Sequence, residues 1–468
     1  MARRSGAGGN TTGAGWRGIA AALALVAALS GCAAAPGAGR APTDPLAADA
    51  MPAMRVFGPP RAEAPARTNG EMARDFLDLA FTLESGRELP RFTRFEGPVR
   101  LAVAGPVPPT AEVDLDLLLR RLRAEAGIDI ARQSDTGTAG IVVTFLPFAT
   151  MRTAVPQAAC FVVPRVGGWD EFRAARGSRQ LDWTTLERRE RISVFIPSDA
   201  APQEIRDCLN EEIGQALGPL NDLWRLTDSV FNDDNFQTVL TGFDMLMLRA
   251  SYAPELASGM TRSEVLARLP AILARLNPSG ERPAPPAAEP TPRTWITAIE
   301  GALDPRAPTP VRALRADRAL AIAEARGWED GRRAFAHFVR GRYRLSRDPV
   351  EAVEEFTRAG AIYARLPGTA LHIAHIDMQV AALALASGRP DQARYLVDRA
   401  LPAAERGQNA AVLASLLAIK AAALPGSAVE ADRARLDSLG WARYGYGQQE
   451  DIRSRLGSLL ARATQAGS

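Results

Sequence analysis

Apolar residues recur at helical or strand spacing through most of the chain. "NGEMARDFLDLAFTLESG" (69–86) carries Phe76, Leu77, Leu79, Phe81 and Leu83 and predicts an amphipathic helix stopped by Gly86. "PVRLAVAG" (98–105) predicts a strand, and "TAEVDLDLLLRRLRAEAG" (110–127) a helix with Leu115, Leu118, Leu119 and Leu122 on one side. Apolar runs at 140–148, 159–165 and 191–197 predict three more strands. "PQEIRDCLNEEIGQALG" (202–218) predicts a helix opened by Pro202 and closed by Gly218. Its buried stripe is Ile205, Leu209, Ile213 and Leu217. The order β-α-β-β-β-α describes an α+β domain with a mixed sheet over residues 70–276.

A second pattern follows. Six prolines between 277 and 293 predict a semi-rigid spacer and a domain boundary. Beyond it, residues 294–468 are Ala-rich and helical. "DPVEAVEEFTRAG" (348–360) and "RPDQARYLVDRAL" (389–401) align at a spacing of 41, matching Pro349 with Pro390, Ala352 with Ala393 and Ala359 with Ala400. A fainter copy lies around Ala434. A helical stretch precedes each clear copy, at 331–346 and 371–388. Helix pairs at this period, with small residues at the packing positions, resemble tetratricopeptide repeats. That resemblance implies a solenoid whose concave face binds peptides or helices. His372 and His375 lie on one of these helices with no cysteine or further histidine beside them, so they read as packing residues. The Arg-rich face of "VRALRADRAL" (311–320) reads as solvated, with an anionic partner as the alternative.

The N-terminus changes the picture of where the protein works. Arg3, Arg4 and Arg17 precede an apolar run of about fifteen residues, too short for a bilayer and suited to a signal peptide over 1–31. It ends in Leu29-Ser30-Gly31-Cys32, which resembles a bacterial lipobox, so Cys32 is the expected lipidation site. Ala33 after the cysteine implies sorting to the outer membrane, facing the periplasm. Residues 32–68, rich in Ala, Pro, Gly and Arg, read as a flexible tether. With a formal net charge of +3, nothing in the balance points to nucleic acid. Cys160 and Cys208 remain in the mature body, and an oxidising compartment favours a disulfide between them.

The candidate chemistry lies on the 202–218 helix. Glu211-Glu212-Ile213-Gly214-Gln215-Ala216-Leu217-Gly218-Pro219-Leu220-Asn221 resembles the H-E-x-G-H-x-L-G-x-x-H helix of metzincin metallopeptidases, matrixin-like ones in particular. Glu212, Gly214, Leu217 and Gly218 match the pattern. Glu211, Gln215 and Asn221 replace the three metal histidines. Ser229-Val230-Phe231 is similar to the turn that floors the metal, with Phe231 in place of methionine, and Asp244 and Tyr252 would open and close the next helix. The region is also similar to the exported bacterial family catalogued as domain of unknown function 2927, in "VPQAACFVVP", "LDWTTLERRERISVFIP" and "LGPLNDL". That resemblance supplies no activity and implies that the histidine loss is the family's pattern.

The substitutions bear directly on catalysis. Catalytic zinc takes imidazole or thiolate donors, and here the donors are one carboxylate and two amides. No zinc or other cofactor is expected. The expected role is non-catalytic: a pseudo-metallopeptidase domain and a repeat domain that bind proteins or peptides of the cell envelope. The alternatives are an atypical peptidase with Glu212 as general base and a purely structural domain. Adjacent carboxylates such as Glu211 and Glu212 are also common on solvated faces.

Overall fold

The structure is a computed structural model and describes residues 51–61, 63–424 and 428–465. Cys32 and the rest of the expected leader lie outside the described residues. Five strands form one mixed sheet: β1 (Val99–Ala104), β2 (Ile130–Arg132), β3 (Ile141–Leu146), β4 (Phe161–Pro164) and β5 (Ile192–Pro197), in the order β2-β1-β3-β5-β4. Four run parallel, with Ile141 opposite Ile192, and β4 closes one edge antiparallel, with Phe161 opposite Phe195. Every residue of β3 and β5 is buried. A parallel strand covered on both faces reads as a nearly continuous apolar run, and the one polar residue in each, Thr144 and Ser193, is buried too, Ser193 donating to the Val166 carbonyl.

The helices of this α+β part are α1 (Asn69–Phe81), α2 (Pro109–Ala124), α3 (Phe148–Ala154), α4 (Trp169–Ala175), α5 (Pro202–Leu217), α6 (Gly242–Ser251) and α7 (Arg262–Leu276). Helices α1, α2, α5, α6 and α7 share one core with the sheet; α3 and α4 cover Phe195 on its other face. Helix α1 starts in a capping box, Thr68 with Glu71. It ends at Phe81 rather than near Gly86, because Thr82 turns extended and bridges Glu88. Gly86 instead serves the tight turn between them at φ +81°. The short strand β2 and helices α3 and α4 carry too few residues to show a periodicity and were not predicted.

The helical part comprises α8 (Arg293–Leu303), α9 (Thr309–Ala325), α10 (Gly331–Arg344), α11 (Pro349–Tyr363), α12 (Ala370–Ala386), α13 (Pro390–Arg406), α14 (Ala410–Ala423), α15 (Ala428–Gly445) and α16 (Gln449–Gln465). Consecutive helices pack as pairs: α8 with α9, α10 with α11, α12 with α13, α14 with α15. The alanines that align in the repeats, Ala352 with Ala393 and Ala359 with Ala400, are all buried at these contacts. Small side chains there let the helix axes approach closely. Among the described residues no helix is long and apolar enough to cross a membrane.

Two expectations about connections are revised. From Ala48 onward the chain forms one compact unit. The Pro-rich stretch is pinned at both sides, by Arg74 to the Pro285 carbonyl (2.9 Å) and by Trp328 Nε1 to Glu289 (3.1 Å). The expected tether is packed from Met51 on. Phe57 stacks on Trp441 with ring centroids 4.4 Å apart, and Gln408 donates to the Gly58 carbonyl. The Arg55 N–H also donates to the Gly440 carbonyl (3.0 Å) and Arg443 to the Pro52 carbonyl (2.7 Å), so the run is docked by its one aromatic ring and by its backbone.

Candidate functional site

Helix α5 is the element that positions the candidate residues. Its first turn uses Pro202, whose missing N–H would have had no helical partner. Its far end is held by two side chains from other elements. The buried Arg189 guanidinium donates to the carbonyls of Gln215 and Gly218, and the Tyr252 hydroxyl donates to the Leu217 carbonyl (3.1 Å). These fill carbonyls that a helix C-terminus leaves open, and place a cation at the negative end of the dipole. Burial lowers the Arg189 pKa to about 10. Gly218 itself is extended (φ −164°), so its turn does not demand glycine. Midway along, Cys208 is bonded to Cys160 at the start of β4, with Cα atoms 6.0 Å apart. The disulfide ties α5 to the sheet edge.

The turn expected as a floor lies under this helix. Phe231 is fully buried, and a Cβ on Gly214 would stand 2.8 Å from its Cζ. The glycine therefore makes room for the ring. The turn is held by Asp244, which accepts from Ser229 Oγ and from the Val230 N–H (3.1 Å) while completing a capping box with Thr241. Burial raises the Asp244 carboxyl to about 6 against these hydrogen bonds. Tyr252 is the residue that closes α6.

The three positions in place of histidine go separate ways. Gln215 Nε2 donates to Asp222 Oδ2 (3.2 Å). Asn221 Nδ2 donates to the Asp78 carbonyl (3.0 Å), away from Gln215. Glu211 keeps some exposure, whereas Glu212 and Gln215 are 5% exposed. This face is largely enclosed, and what gathers there is acid. Burial, then Asp233 and Glu84, raise Glu211 to about 8. Burial, then Glu84, Glu300 and Asp234, raise Asp233 to about 7 against the attraction of Arg293. Glu212 and Asp222 are also raised well above the usual carboxylate range, by burial first and neighbouring carboxyls next. Among the described residues Glu212 Oε2 has no hydrogen-bond partner. Burial and mutual repulsion favour the protonated form of such carboxyls.

Zinc does not fit these residues. Oxygen-only donors suit zinc poorly. Among the described residues no three His, Cys, Asp or Glu side chains are arranged to hold an ion.

The segment after α5, residues 218–241, carries the floor turn and on its other residues a roof strip, Trp224 and Phe236, that is keyed into the helical part. Trp224 packs on Trp295 (5.3 Å) and Phe335 (5.6 Å), and Phe236 on Phe338 (5.3 Å), His372 (4.4 Å) and His375 (4.6 Å). His372 Nε2 meets Asp234 at 3.2 Å. Burial and the neighbouring His372 lower His375 to about 3, so it is neutral. These histidines pack a joint. Helix α5 touches the helical part directly: Gln203 accepts from the Ala411 N–H (3.1 Å), and Arg206 donates to Gln408. Tyr444 reaches across to Asp114 on α2 (2.6 Å).

Residues 69–271 match the family model described as "Protein of unknown function (DUF2927)". The DUF2927 stretch starts with α1 and stops within α7, so it holds the sheet, α5, the floor turn and the roof. It leaves the Pro-rich strap and the helical part outside. No curated protein and no solved structure matches the chain. Sequence reading found α5 and the Cys160–Cys208 pair, and it placed Asp222 within reach of the Gln215 face. It missed Arg189, Glu84 and Asp233, which look like ordinary surface charges in a linear reading.

Proposed function

We propose that this protein is a non-catalytic envelope lipoprotein, anchored through Cys32 in the outer membrane and facing the periplasm. It binds a protein or peptide there through its tetratricopeptide-like helical part. The DUF2927 region is a zincin-like domain that has become the support for that binding surface. The observation that carries the reading is the enclosure of Glu212 and Gln215 beneath a roof whose aromatic residues are set into the helical core. A peptidase must admit a peptide to its base, and here roof and base are buried together. The order of elements and the seating of Phe231 against Gly214 support the zincin-like ancestry. A groove beside Phe236, about 400 Å³ in volume, lies between α10, α12 and α14 and is lined by Phe338, Met378, Gln379, Val412 and Tyr446. It offers an apolar floor with a few polar contacts, as peptide-side-chain pockets do.

The test places a photo-crosslinking residue at Gln379 or Tyr446 in cells, and at Val113 on the exposed face of α2 as a control. Adducts from the groove positions alone, with unchanged adducts in Glu212→Gln, are the expected result. A peptide-hydrolysing activity of the purified chain that disappears in Glu212→Gln would overturn the proposal, as would stoichiometric metal by elemental analysis.

A further inference from the structure

A second pocket, about 370 Å³, opens on the outer side of the α8–α9 pair and is lined by Arg293, Thr294, Thr297, Ala298, Arg315 and Arg318. We infer that this pocket binds the phosphoryl group of a phosphorylated ligand. Three arginines and two threonines line it, with no carboxylate among the lining residues. Arg340 and Arg344, by contrast, are tied directly to Asp317 and Glu351, whereas the carboxylates that feel Arg293 and Arg315, those of Asp233 and Asp304, lie outside the lining. Arg293 and Arg315 spend one N–H each on backbone carbonyls, of Glu84 (3.4 Å) and Gly301 (3.3 Å), and among the described residues Arg318 has no hydrogen-bond or ion-pair partner. Each guanidinium keeps donors free.

Arg315 is also built into place. Gly301 sits inside α8, where glycine costs about 1 kcal/mol relative to alanine. A Cβ there would lie 2.5 Å from Arg315 Nη1 and 2.6 Å from its Cδ. The missing side chain is the slot in which the arginine lies. Pro292, at the start of α8, supplies no side-chain cap, so the first N–H groups of the helix add donors beside Arg293 and Thr294. A carboxylate has two oxygens and one charge. A phosphate monoester has three terminal oxygens and nearly two charges, which matches forked guanidinium donors better. The pocket is larger than a lone phosphate needs, so the ligand carries an organic part against Ala298.

The purified full chain is titrated calorimetrically with inorganic phosphate and with pyrophosphate, and separately mixed with phosphatidylcholine vesicles with and without phosphatidic acid. Saturable binding that weakens with salt is expected for at least one phosphoryl probe. The doubly substituted Arg315→Gln, Arg318→Gln chain should bind that probe at least about tenfold more weakly. Gly301→Ala, which displaces Arg315, should weaken it in the same direction, and Arg347→Gln, on an exposed turn, should not. Melting curves of the variants check that the fold is kept. Binding of soluble probes only identifies a soluble phosphorylated ligand, and binding of phosphatidic acid vesicles only identifies a lipid headgroup. Absence of binding by every probe, or equal binding by the double variant, overturns the inference.

Discussion

Replacing Glu211 with glutamine tests the electrostatic reading of the site. Glu211 stands among Glu84, Glu212, Asp222 and Asp233, with Glu300, Asp234 and Arg293 beyond them. Its folded pKa, about 8, is raised above an ordinary value near 4.5. A raised carboxyl contributes stability that is fully present below the unfolded pKa and is lost as pH rises through the folded one. The window therefore runs from about pH 4.5 to about pH 8. At about 1.4 kcal/mol per pKa unit the shift amounts to roughly 5 kcal/mol, an upper bound because neighbouring carboxyls titrate together. Glutamine has nearly the same shape and no charge to desolvate. Urea midpoints followed by tryptophan fluorescence at pH 4, 6, 8 and 9 should fall steeply with pH for the natural chain. They should fall less for Glu211→Gln. The two curves should meet near pH 4 and separate by a few kcal/mol, at most about 5, at pH 9. Parallel curves, or a variant less stable than the natural chain at pH 9, would refute the reasoning.

Three further outcomes are expected. Cys160→Ser with Cys208→Ser opens a loop of 48 residues and should cost about 4 kcal/mol in the chain-entropy account, read as a lower urea midpoint that matches the reduced natural chain. Gly214→Ala drives a methyl group into the Phe231 ring and should cost about 1–3 kcal/mol, recovered in part by Phe231→Leu in the same chain. Phe236→Ala removes the ring set between Phe338, His372 and His375 and should cost about 3–5 kcal/mol. Hydrogen exchange should then rise along residues 232–240 and α12 together, whereas a change confined to one side would show that the roof and the helical part are not coupled.

Much of the site was legible because it rests on local signals. Proline and glycine bracket α5, and Gly214 is separated from Gln215 by nothing, so the motif could be read in one glance along the chain. Cys160 and Cys208, the two cysteines among the described residues, admit one pairing, and the structure forms it. The repeated alanines marked the packing face of the helical part before any contact was seen. The destination of the substituted ligands was not legible. Gln215 finds Asp222 and Asn221 finds the Asp78 carbonyl, partners that no spacing rule selects. Arg189 sits in the run "ERRERIS", which reads as a solvated charge cluster, yet it is buried against the end of α5.

Periodicity along a chain records which face of an element is removed from water, because burial of apolar area is what sets it. That is why the strands, most helices and the order of the first domain followed from sequence. Periodicity does not record what covers the face. Phe236 and His372 are drawn together by closure of the whole molecule, and the acids around Glu212 acquire their raised pKa values from burial and from one another. The character of the site, an enclosed group of carboxyls whose pKa values are raised by burial and by one another, was therefore decided by tertiary packing.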